Sequence, residues 1–145
     1  MIGMEKNILA LDLGKGSLGM AISRSGMLVS PLPNLRFKAM HFDECIELLK
    51  KAIEDEDVEH IAIGYPLFPS GDPCEMTPIV ERFIPKVQSL FPDVEIVKVD
   101  ERNSTVEAAS YLHESGENMK KQRRHIDSVA ASVILERYLK QIGQA

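Results

Sequence analysis

Three acidic residues, Asp12, Glu101 and Asp127, stand where a lone carboxylate is expensive. Asp12 closes the apolar run Ile8-Leu9-Ala10-Leu11-Asp12-Leu13-Gly14. Glu101 follows the strand-like run Glu95-Ile96-Val97-Lys98-Val99, inside Asp100-Glu101-Arg102. Asp127 lies in the first turn of a helical pattern, just after the basic run Lys120-Lys121-Gln122-Arg123-Arg124. An ionised carboxylate at a buried element end usually has a cation as partner. Three of them, on three elements, can converge on divalent metal, which is the arrangement that phosphodiester cleavage needs. Oxygen-rich ligation with no His or Cys suits Mg2+ or Mn2+ rather than zinc.

Each of these residues also has a plainer reading. Asp12 could cap the turn that follows it. Glu101 could complement the dipole of the next helix, and Asp127 that of its own. Arg102 could make a surface pair with Glu107, and the basic run could be a solvated loop. Yet Asp127 shares a helical face with Ala131, Ile134 and Tyr138, an otherwise packed stripe, so it should look inward. In the metal reading Lys15 and Arg102 offset phosphate charge, while Lys120, Lys121, Arg123 and Arg124 hold the nucleic-acid backbone. Asp100 is an alternative to Glu101, since adjacent residues leave a strand on opposite faces. Tyr65 and Phe68 could stack on a base, although core packing explains them more simply.

These residues need elements to position them. Residues 7–13 form a short apolar run that predicts a buried strand. Residues 17–24 predict a second strand. Ser25-Gly26 then turns the chain into a third, Met27-Leu28-Val29, expected to end at Pro31 and Pro33. Phe42, Cys45, Ile46, Leu49 and Ile53 mark a helix over 42–54. Val58 to Ile63 predict the fourth strand, followed by a proline-rich loop from Gly64 to Thr77. Ile79, Phe83, Val87 and Leu90 share one face of a second helix, which Pro85 should kink or shift. Residues 94–99 predict the fifth strand. Ser104-Thr105-Val106-Glu107 is a capping box and Gly116 a stop, giving a helix over 105–115. The last helix is expected over about 125–141, with Ile126, Ala130, Val133 and Ile134 toward the core. Three strands in a meander, then alternating helix and strand, predict an α/β domain with a mixed sheet.

A chain of 145 residues has the length of one domain, 1–145, with 1–6 a loose extension. No apolar stretch approaches the ~20 residues that span a membrane, and the N-terminus lacks a signal-peptide core. A cytoplasmic protein without membrane contact is expected. Cys45 and Cys74 have no CxxC spacing, and His41, His60, His113 and His125 form no ligand pair. A net charge of −5 argues against coating nucleic acid through bulk charge. A nucleic-acid ligand should instead meet residues 120–124 and avoid Glu54-Asp55-Glu56-Asp57.

Gly14-Lys15-Gly16-Ser17-Leu18-Gly19 matches the dinucleotide pattern G-x-G-x-x-G. That reading requires a helix to begin there. Here Gly19-Met20-Ala21-Ile22-Ser23 continues as a strand, so an Asp-x-Gly hairpin fits better.

Four segments occur in order: Asp12-Leu13-Gly14-Lys15, Gly64-Tyr65-Pro66, Asp100-Glu101-Arg102-Asn103-Ser104-Thr105-Val106-Glu107-Ala108, and Ile126-Asp127-Ser128-Val129-Ala130-Ala131. With them the chain resembles the YqgF family from about residue 7 to 140. Members are described as Holliday junction resolvases or as nucleases maturing the small-subunit rRNA precursor. The resemblance implies an RNase H-like fold: a mixed five-stranded sheet, three strands antiparallel and then parallel, flanked by helices. It also implies a metal-dependent nuclease whose acids map onto Asp12, Glu101 and Asp127. Where the family carries Lys-Arg, then a hydrophobic residue and Gly, after its Asp-x-Gly, this chain has Lys15 followed by Gly16-Ser17-Leu18-Gly19. Three functions stay open: rRNA-precursor nuclease, junction resolvase, and a non-catalytic assembly or nucleic-acid-binding factor. A nucleotide-phosphate binder of the actin-like ATPase type would need two such domains. No self-association signature is visible, so a monomer or weak homodimer is expected, though cutting two strands at a junction would call for a dimer.

Overall fold

β1 (Ile8–Leu13) is apolar at every position but one, as a strand covered on both faces must be. It lies at the centre of a five-stranded sheet. β2 (Ser17–Ser23) and β3 (Val29–Arg36) follow it, then α1 (Phe42–Ala52), β4 (His60–Tyr65), α2 (Met76–Leu90), β5 (Glu95–Asp100) and α3 (Met119–Gln141). The sheet order is β3-β2-β1-β4-β5. β1 runs antiparallel to β2 and β2 to β3, while β1, β4 and β5 run parallel. This is the mixed sheet expected from the sequence. The computed structural model describes residues 7–24, 28–100 and 119–142, with the backbone alone over 119–128.

The two faces of the sheet are built differently. On one, Leu9, Leu11 and Leu13 of β1 meet Cys45 and Leu49 of α1 and Ile79, Phe83 and Val87 of α2. On the other, Ile8 and Ala10 meet Ala131, Ile134, Leu135, Tyr138 and Leu139 of α3. Ala21, Ala10 and Ala62 pair side by side across β2, β1 and β4, and all three are fully buried. Ala131 is buried in the same cluster. No side chain in that row is larger than a methyl group, so α3 can come close to the sheet.

Several element ends differ from expectation. β3 runs on through Pro31 and Pro33. It is an edge strand, where a proline costs no ladder bond if its nitrogen faces away from the one neighbour. Pro33 and Asn34 together lie opposite Gly19 in a bulge. α2 begins at Met76 because Pro78 falls in its first turn, where a missing N–H is no loss. Pro85 stays inside that helix, and Ser89 Oγ donates to its carbonyl at 3.1 Å. α3 begins at Met119, so the basic run 120–124 is helical rather than a loop. The expected helix over 105–115, the Ser25-Gly26 turn and residues 1–6 lie outside the described residues. Among the described residues no helix is long and apolar enough to cross a membrane.

Candidate active site

Alternation along β1 places Asp12 on the face that α3 covers, after Ile8 and Ala10. Asp12 is half-buried and pairs with Gly19 on β2. On its other side Leu11 is in register with Ile63, so the next residue of β4 is Gly64. The Asp12 carboxylate therefore stands in a row whose neighbours on both adjacent strands have no side chain.

The other predicted acids are placed less completely. Asp127 lies in α3, one turn before the buried Ala131; its side chain is outside the described residues. Glu101 and Arg102 are outside them altogether. Asp100 closes β5 after Val99, which faces α3, so alternation turns Asp100 to the α1 and α2 side, opposite Asp12. Its carbonyl accepts a hydrogen bond from Nη1 of Arg137 at 2.9 Å. Among the described residues no three His, Cys, Asp or Glu side chains cluster as metal ligands. Two of the three predicted carboxylates are not among the side chains described.

The motif from Gly14 to Gly19 forms a tight turn and then β2. The Gly14 N–H donates to the Ser17 carbonyl at 2.8 Å. The 37–40 segment is strapped to the same turn: Phe37 N–H donates to Gly16 O at 3.1 Å, and Met40 N–H to Lys15 O at 2.7 Å. A Cβ added at Gly16 would lie 3.3 Å from the Phe37 carbonyl oxygen, so glycine permits this close approach. From this turn the Lys15 ammonium forms an ion pair with Glu75, the residue just before α2. Sequence reasoning missed Glu75, which belongs to no motif and is remote from Lys15 along the chain.

Lys120, Lys121, Arg123 and Arg124 occupy the first two turns of α3. Tyr65 packs against the core as expected, and Lys98 Nζ, paired with Glu81 at 2.7 Å, sits 5.0 Å from its ring centroid. The hydrogen bond to Glu81 holds the Tyr65 hydroxyl above its ordinary pKa. Phe68, by contrast, is 53% exposed and not a core residue.

A family model described as "RuvX: Holliday junction resolvase" matches residues 6–141. The chain belongs to the RuvX family. This is the family to which the YqgF resemblance pointed, and it is a nuclease family. A relative from Mesoplasma florum, named "Putative pre-16S rRNA nuclease", is 34% identical over 139 residues, covering 94% of this chain and 97% of its own. A relative of the same name from Chlorobium phaeobacteroides is 34% identical over 144 residues, covering 97% and 96%. Among solved structures, T. thermophilus RuvC in complex with Holliday junction substrate overlays with a TM-score of 0.58. At 12% identity, over 97% of this chain and 98% of that one, it shares the fold, which is RNase H-like.

Proposed function

We propose that this RuvX-family chain is a divalent-metal-dependent endonuclease acting in maturation of the small-subunit rRNA precursor. The observation that carries this is Asp12: a half-buried carboxylate at the end of the central strand, between two glycines, on the face covered by α3. Two relatives named for pre-16S rRNA cleavage match the chain nearly end to end, which supports rRNA as substrate. Asp12, Glu101 and Asp127 would supply an oxygen-only ligand set, which fits Mg2+ or Mn2+. Cys45 does not belong to such a set, since it is fully buried against the opposite face. When bound, the cation supplies Lewis-acid polarisation of the phosphodiester and of the attacking water. The chain's own groups do the rest. Lys15 and Arg102 offset charge on the scissile phosphate, and the basic first turns of α3 hold the backbone on either side. Such an enzyme would work as one domain in the cytoplasm.

A second reading, a DNA junction resolvase, is favoured by the family description. The experiment that separates them is cleavage of labelled rRNA precursor and of a four-way DNA junction, with Mn2+ or EDTA, beside Asp12→Asn. Metal-dependent cutting of the rRNA precursor, lost in the variant, is expected. Cutting of the junction alone would transfer the proposal to DNA. Binding of either without cutting would make the chain an assembly factor on a nuclease fold.

A further inference from the structure

We infer that Glu75 is a charge gate on Lys15. In the free protein its carboxylate occupies the Lys15 ammonium, and a nucleic-acid phosphate must displace it. This rests on the reading of Lys15 as a phosphate-binding residue.

Lys15 follows Asp12 by three residues, in a turn whose backbone is held by hydrogen bonds at Gly14, Lys15 and Gly16. The position of its Cα relative to Asp12 is therefore fixed, and only the side chain can swing. In the free protein that side chain is bent toward the start of α2 by the ion pair with Glu75. Glu75 is not needed there by the helix. It stands at the N-cap position, where Ser, Thr, Asp and Asn are preferred, and makes no side-chain capping bond. Its carboxylate nevertheless lies at the positive end of the α2 dipole, so it keeps a favourable field when Lys15 leaves. Both side chains are more than half exposed, at 52% and 72%. An exposed pair of this kind is weak enough for a competing anion to break.

The gate has a consequence for selectivity. A lone phosphate gains little from Lys15, because it trades one carboxylate partner for another anion. A longer nucleic acid, already held by the basic turns of α3, presents its phosphate at high local concentration and can take Lys15 over. Glu75 is thus a positioning residue for Lys15, acting before chemistry.

The test is a fluorescence-anisotropy titration of a labelled rRNA-precursor oligonucleotide in EDTA, over a salt series. It compares wild type, Glu75→Gln, Lys15→Gln and the double variant. Glu75→Gln should tighten binding roughly two- to fivefold, the range for releasing an exposed ion pair. It should also steepen the slope of log Kd against log salt by up to about 0.7–0.9, one more counterion being released on binding. In the Lys15→Gln background the same substitution should do nothing. Tightening that persists without Lys15 would overturn the gate, because it would mean diffuse repulsion by Glu75. Binding unaffected by Glu75→Gln would also overturn the gate and leave the proposed function standing. No binding by any of the four proteins would overturn both.

Discussion

Nδ1 of His60 lies 2.8 Å from the hydroxyl oxygen of Tyr138, joining the first residue of β4 to the last turn of α3. Glu95 pairs in register with His60 across β4 and β5, and its carboxylate is 3.8 Å from the same nitrogen. The contact anchors the C-terminal end of the helix that carries Asp127. Tyr138→Phe should cost about 1 kcal/mol at neutral pH, the usual net worth of such a bond. Burial, and then the Glu95 carboxylate, hold the Tyr138 hydroxyl above its ordinary pKa. The unfolded chain therefore sheds this proton first. The stability it confers is complete below about pH 10 and is lost as pH rises through the folded value. Urea unfolding across the alkaline range should show that loss in wild type, and none of it in Tyr138→Phe.

The two cysteines should differ sharply in reactivity. Burial, with help from Glu44, pushes the Cys45 thiol up to about 12. Thr77, whose Oγ1 is 3.5 Å from Cys74 Sγ, holds the Cys74 thiol below its ordinary value. Iodoacetamide followed by mass mapping should label Cys74 and spare Cys45 while the chain is folded. Thr77 Oγ1 also accepts the Cys74 N–H at 2.9 Å, and its single proton is shared between the Pro66 carbonyl at 2.5 Å and Cys74 Sγ. Thr77→Val should therefore slow labelling and cost about 1–3 kcal/mol, because both backbone groups lose their partner.

The alanine row under α3 should tolerate no bulk. Ala62→Leu puts three extra carbons where only methyl groups separate helix and sheet. A loss of about 1–3 kcal/mol is expected. Cleavage should fall as well, since the helix carrying Asp127 must lift from the face that holds Asp12. Retained activity at full rate in a destabilised Ala62→Leu protein would show that this helix seating does not matter to the site.

Gly16→Arg puts a long side chain into the loop where this chain departs from the family pattern. Its Cβ would press on the Phe37 carbonyl at 3.3 Å, so the 37–40 strap must give by a few tenths of an ångström. A destabilisation of roughly 0.5–1 kcal/mol is expected, at the mild end of point substitutions. Thermal melts of the two proteins would measure it.

Periodicity was enough to read the centre of this molecule. The apolar run of β1, the stripe of α1 and the order of five strands all follow from local pattern, because each is dictated by what must be buried. Pro31 and Pro33 misled, since a proline ends a central strand but not an edge strand, and only the assembled sheet shows which strand is the edge. The basic run 120–124 looked like a loop because its residues have no apolar periodicity, yet α3 extends through it. Asp12 was legible as an odd charge in an apolar run. Its glycine neighbours on β2 and β4 were not, because register between strands is a tertiary property. The same holds for Glu75, brought to Lys15 only by the fold.

The prolines and the bulge of β3 also decide how copies of this chain can meet. A sheet border with its amide groups exposed invites another strand to dock and continue the ladder. Pro31 and Pro33 have no backbone donor to offer a further strand, and the bulge at Pro33-Asn34 breaks the regular spacing of β3. Both features make β3 a poor template for a second copy to extend the sheet. Two copies that joined to cut both strands of a junction would find helices, loops or β5 better suited to the contact.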